Sequence, residues 1–107
     1  MTESEFNDKV DATLETIEDI LDEAETDLDF QTSGGVLTVI CENRTQIIFT
    51  RQAPVKQLWL ALRSGGFHFD YDAEKETWLR DSDQTPLADI LTTAFKEQAG
   101  EDFTFDL

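Results

Sequence analysis

Apolar residues at the start of the chain recur every three or four positions: Phe6, Val10, Leu14, Ile17, Leu21 and Ala24. Such spacing puts them on one stripe and predicts an amphipathic α-helix over residues 2–25, with Thr2-Glu3-Ser4-Glu5 able to supply a capping box at its start. From about Asp27 the pattern changes to β-branched and aromatic runs at 30–33, 36–42, 46–51, 58–62, 67–72 and 77–80. They are separated by the turn signals Gly34-Gly35, Asn43-Arg44, Pro54, Gly65-Gly66 and the polar stretch 73–76, so an antiparallel meander of five or six strands is expected. Helical spacing returns near the end, where Leu87, Ile90, Leu91, Ala94 and Phe95 share a face. Thr85 is the expected cap of that helix, Pro86 its first residue, and Gly100 lies past its end.

A meander with a helix at each end buries its apolar surface most simply with both helices on one face of the sheet and water on the other. The expected fold is therefore α+β, a two-layer α/β sandwich in one domain spanning residues 1–107. Whether Phe103, Phe105 and Leu107 dock between the helices or fray is open at this level. Along strand 58–62, Leu58, Leu60 and Leu62 take the core side, which throws Trp59 onto the opposite, solvent face, where an exposed indole suits a protein partner. Trp78 reads as a structural residue. His68 alternates with Phe67, Phe69 and Tyr71 and so points away from that aromatic row, an ordinary polar position on the sheet.

With 107 residues, 39% hydrophobic content, eight Phe and two Trp, the chain can build one packed core but not two. Cys41 is the sole cysteine, which excludes an internal disulfide and suits a reducing compartment. No run approaches the roughly 20 apolar residues that span a bilayer. The acidic start lacks the basic region of a secretory or organelle-targeting peptide, and a cytoplasmic location is expected.

Charge changes the picture most. Of the 24 acids behind the formal −16, twelve lie within residues 1–29, against the single base Lys9. Nine pairs of acids between Glu5 and Glu25 stand three or four residues apart. Each such pair costs roughly 0.2–0.5 kcal/mol, so the repulsion is on the order of 2–4 kcal/mol before salt screening. Asp22, Glu23 and Glu25 also crowd the negative end of the helix dipole. A locally unfavourable arrangement of this size marks a binding surface as readily as it marks a solubilising one.

Carboxylates without a nearby His or Cys suit hard cations such as ferric iron, calcium, magnesium and manganese. The candidate metal-binding residues are Glu15, Glu18, Asp19, Asp22, Glu23, Glu25, Asp27 and Asp29. On an exposed helix and turn they would give weak, multiple and promiscuous sites, with few protein ligands and many waters per ion. Asp27-Leu28-Asp29 begins like a calcium loop, but no Gly and terminal Glu follow at the required offsets. There is no nucleophile elbow, phosphate loop, Cys-x-x-Cys or zinc spacing, and no enzymatic activity is expected.

The acidic first helix, Gly34-Gly35-Val36-Leu37-Thr38, Arg51-Gln52-Ala53-Pro54 leading into Gln57-Leu58-Trp59-Leu60-Ala61, and Gly65-Gly66-Phe67-His68-Phe69-Asp70 together resemble the bacterial frataxin family, in order and over nearly the whole chain. Two turn positions depart from that pattern, Arg44 where the family often has Gly and Ala53 where an acid is common. The resemblance implies a regulator of iron–sulfur cluster assembly that holds ferrous or ferric iron weakly on its surface, where other divalent or trivalent cations can substitute. It implies docking on the cysteine desulfurase through Glu18, Asp19 and Asp22, contact with the cluster scaffold protein through Trp59, and no nucleic-acid or membrane partner. A monomer is expected, with iron-dependent oligomers and the direction of regulation left open. Two other readings compete: an acidic nucleic-acid mimic that inhibits a basic protein, and a carboxylate-based ferroxidase.

Overall fold

The computed structural model describes all 107 residues. Helix α1 spans Glu3–Asp22, and Thr2 caps it reciprocally: Glu5 N donates to Thr2 Oγ1 at 3.1 Å while Thr2 N donates to Glu5 Oε1 at 3.2 Å. Hydrogen bonds from Thr2 hold the Glu5 carboxyl below its usual range. Six strands follow, β1 (Asp29–Ser33), β2 (Val36–Ile40), β3 (Gln46–Gln52), β4 (Gln57–Leu62), β5 (Gly65–Asp72) and β6 (Thr77–Arg80), with a single 3₁₀ turn at Ala53–Val55 between β3 and β4. Helix α2 spans Leu87–Ala99. The strands pair in chain order, each antiparallel to the next.

The two faces of the sheet differ because side chains alternate along each strand. Leu37, Val39, Ile47, Phe49, Leu58, Leu60, Phe69 and Trp78 point inward and meet Phe6, Val10, Leu14, Ile17 and Leu21 of α1 and Leu87, Leu91 and Phe95 of α2 in one core. Trp78 is fully buried, edge-on to Phe6 and Tyr71, and its indole N–H donates to Thr13 Oγ1 at 2.9 Å. The chain end docks rather than fraying: Phe103 and Phe105 are buried with ring centroids 5.3 Å from that of Phe95, and Leu107 packs against the core.

Three local expectations need correction. Helix α1 stops at Asp22, so the acid pairs Asp19/Glu23 and Asp22/Glu25 fall past its end and only seven of the nine helical repulsions remain. The last turn holds no basic residue, and acids there oppose the dipole, so the helix gains nothing by continuing. Thr85 does not cap α2. Pro86 takes that position without a side-chain bond, while Thr85 serves the preceding loop, its N–H donating to Asp83 Oδ1 at 3.1 Å. Cys41 lies just beyond β2, where burial pushes its thiol pKa up. Gly100 ends α2 in the left-handed region at φ 70° as anticipated. Arg44 occupies the same region at φ 70°, a conformation that Gly adopts without steric cost.

Candidate functional site

Along one edge of the molecule run the acids of α1, the turn after it and the start of β1. The Oγ1 hydroxyl of Thr32 donates a hydrogen bond to Glu18, which lays the acidic face of the helix beside β1, the free edge of the sheet. Glu15, Asp19 and Asp22 stand exposed on α1, Glu23 follows as its C-terminal cap, Glu25 and Asp27 occupy the turn, and Asp29 opens β1. None of these eight carboxylates lies within 4 Å of a basic group. The four ion pairs of the molecule are Arg51–Asp11, His68–Asp81, Arg80–Asp83 and Lys96–Asp102.

The eight are strung along the edge rather than gathered about a point, and no three carboxylates, histidines or cysteines converge on a common metal position. Their donors are all oxygen, which fits a hard cation held from one side. Asp11, which sequence spacing would add to the row, is taken by Arg51: Nη2 donates to Asp11 Oδ1 at 2.6 Å, Nη1 to Asn7 Oδ1 at 3.2 Å and Nε to the Gly35 carbonyl at 3.3 Å. Gly35 lies in the left-handed region at φ 77°, where a side chain is strained, and a Cβ there would also press on the guanidinium, 3.0 Å from Nε.

The acidic turn is tied down from far along the chain. Glu101 accepts from Glu25 N at 3.1 and 3.2 Å, from Thr26 N at 2.8 Å and from Thr26 Oγ1 at 2.7 Å. The Thr26 bonds hold the Glu101 carboxyl below its usual range. Nothing in the local sequence pattern announces this contact, because its partners stand about 75 residues apart.

Trp59 lies where strand alternation puts it, on the outer face, half-buried. Its ring stacks on His68 of β5, directly opposite in register, with centroids 4.3 Å apart and planes 21° apart. The indole N–H donates to Gln57 Oε1 at 3.0 Å, and Gln57 Nε2 donates in turn to Asp70 Oδ1 at 3.1 Å and Asp81 Oδ2 at 3.4 Å. His68 is thus one half of an aromatic stack, which the sequence pattern alone did not reveal. The outward positions of β2, β3 and β4, from Val36, Thr38 and Ile40 to Gln57, Trp59 and Ala61, carry no charge at all.

An acidic edge beside a sheet whose central outward positions are uncharged, on two helices and a six-stranded meander, defines the class of protein. Residues 1–101 match the frataxin-like domain, and the chain belongs to the frataxin family. Relatives named iron–sulfur cluster assembly protein CyaY include one from Pseudomonas fluorescens (strain Pf0-1), 51% identical over 106 residues covering 99% of this chain and 96% of the relative. Another, from Pseudomonas aeruginosa, is 50% identical over 105 residues, covering 98% and 97%. Among solved structures, the frataxin from Psychromonas ingrahamii superposes with a TM-score of 0.91 at 33% identity, both chains covered in full. The trimeric frataxin from Saccharomyces cerevisiae, complexed with ferrous iron, gives a TM-score of 0.70 at 28% identity, covering 91% of this chain and 87% of that one.

Proposed function

We propose that this chain acts in iron–sulfur cluster assembly, as its relatives' name states of them, and that it does so as a regulator rather than as an enzyme. Iron binds weakly at Glu15, Glu18, Asp19, Asp22, Glu23, Glu25, Asp27 and Asp29, each ion held by few carboxylates and by water. The cysteine desulfurase docks a basic surface on Glu18, Asp19 and Asp22, and the scaffold protein meets the outer sheet face around Trp59. The observation that carries this reading is a row of eight carboxylates without one basic partner, beside outward positions of β2, β3 and β4 that hold an aromatic anchor and no charge. Iron and desulfurase then draw on the same carboxylates, and their association is fast and sensitive to salt. No helix is long and apolar enough to cross a membrane, which suits a cytoplasmic site of action.

The test is an anaerobic titration with ferrous iron followed by NMR line broadening, together with desulfurase and scaffold binding by the wild type and two variants. Broadening confined to residues 15–29, desulfurase binding lost on reversing Glu18, Asp19 and Asp22 to Lys, and scaffold binding lost in a folded Trp59→Arg variant are the expected results. Broadening without localisation favours the nucleic-acid mimic. Catalytic oxygen consumption favours a ferroxidase. The trimeric relative complexed with ferrous iron makes the sedimentation of iron-loaded protein a useful addition, with the free protein expected as a monomer.

A further inference from the structure

Placing an additional acid at the acidic end of α1 is electrostatically unfavourable, yet Glu101 sits there. The backbone explains it. The N–H groups of Glu23 and Ala24 are satisfied by Ile20 and Leu21 carbonyls as the helix closes, but those of Glu25 and Thr26, turning away from the helix, have no carbonyl within the turn. A carboxylate is the strongest acceptor available for them, and Glu101 takes both, along with the Thr26 hydroxyl. It is delivered by Gly100, whose φ of 70° reverses the chain out of α2, and it is held by the tail beyond it, where Phe103 and Phe105 pack on Phe95; the neighbouring Asp102–Lys96 pair is exposed on both sides and adds little to that anchoring.

We propose that Glu101 is a positioning residue for the acidic row: by clamping the backbone at Glu25 and Thr26 it fixes where Glu23, Glu25 and Asp27 present their charges to a cation. This rests on the reading of that row as a cation-binding surface. Three of its four hydrogen bonds fall on Oε1, so the turn occupies that oxygen, and the role assigned to Glu101 is to hold the turn rather than to add a ligand. Acids on the body of α1, such as Glu15 and Asp19, are placed by the helix and do not depend on it. The row thus has two parts, one set by local helix geometry and one set by the far end of the chain. Because coupling between two sites is reciprocal, a cation at the turn strengthens the clamp as the clamp strengthens cation binding.

The experiment uses the full chain with Mn²⁺ alone as probe, reading paramagnetic broadening of backbone amides and amide exchange in the wild type and three variants. Thr26→Val removes one donor without changing charge; Glu101→Gln weakens the acceptor; Asp102→Asn removes the neighbouring charge and leaves the clamp intact. In Thr26→Val and Glu101→Gln, exchange at Glu25 and Thr26 should accelerate and broadening at residues 23–27 should weaken while that at 15–22 persists. If the clamped turn falls to about a third of molecules, the affinity at that end drops about threefold. Asp102→Asn should match the wild type. Mn²⁺ should slow exchange at Glu25 and Thr26 in the wild type. Unchanged broadening in Thr26→Val, or an equal loss in Glu101→Gln and Asp102→Asn, overturns the proposal in favour of a purely structural or purely electrostatic role. Absence of localised broadening in the wild type removes the acidic-row reading itself, and the proposal with it. Should Glu101→Gln fail to fold, Thr26→Val decides alone.

Discussion

The acids of residues 15–29 and the aspartates of residues 70–83 put the same carboxylate group to opposite uses. In the second region each aspartate has protein partners. Asp70 accepts from Gln57, Asp72 from the backbone of Glu74 and Lys75 at 2.9 and 3.0 Å, Asp81 from Gln57, and Asp83 from Arg80 at 2.9 and 2.5 Å and from Thr85. In the first region only Glu18 accepts a side-chain bond, from Thr32. Carboxylates that stabilise a fold are therefore consumed by it. Those left unpaired at helical spacing work against the fold and are free to meet something else.

The largest test of that contrast is the triple reversal Glu18→Lys, Asp19→Lys and Asp22→Lys. It replaces repulsion with Glu15 by attraction and puts cations at the negative end of the helix dipole, a gain on the order of 1–2 kcal/mol. Thermal melting should show a Tm higher by several degrees even though the bond from Thr32 is lost. A fall in Tm would mean that these acids support the fold. Asp83→Asn should do the opposite by a smaller amount, lowering Tm because Arg80 and Thr85 lose their partner. Added salt should raise the melting temperature of the wild type, since screening at a Debye length near 10 Å weakens the repulsion along α1, and should raise that of the triple-lysine variant less, because its pairs with Glu15 have become attractions.

The smallest effect is in pH. Its bonds to Arg80 and Thr85 hold the Asp83 carboxyl well below the usual range. A group whose pKa is depressed on folding contributes stability that is complete above the ordinary carboxylate value of about 3.9 and is lost as pH falls through the folded value. The Tm difference between wild type and Asp83→Asn should accordingly be constant above about pH 5 and shrink progressively below about pH 4. A difference that persists undiminished in strong acid would show that the asparagine acts through packing.

Most of the fold was legible because its rules are local. Apolar spacing placed Phe6 to Leu21 on the buried stripe of α1, and alternation put Trp59 and His68 on the outer face. What the pattern missed are contacts between residues distant along the chain. Arg51 binding Asn7 and Asp11 shortens the acidic row, and only the folded register reveals it. The Trp59–His68 stack depends on Leu62 pairing with Gly65 across the hairpin, which sets every later pair in β4 and β5. Glu101 lies among seven tail residues whose composition fits docking and fraying equally. The end of α1 was misplaced by three residues because Ala24 continues the apolar spacing, whereas the backbone beyond Glu23 has a better partner than another helical turn.

The free margins of the sheet carry a further consequence. β1 and β6, with five and four residues, form those margins, and the open backbone groups of any terminal strand invite a neighbouring molecule to add itself. Here the β1 margin is lined by anionic groups from α1 and by Asp29, so two copies approaching there meet like charge before their main chains can register. The very residues that cost the molecule stability thus oppose self-templated stacking at that border, and covering their charge would lift that opposition.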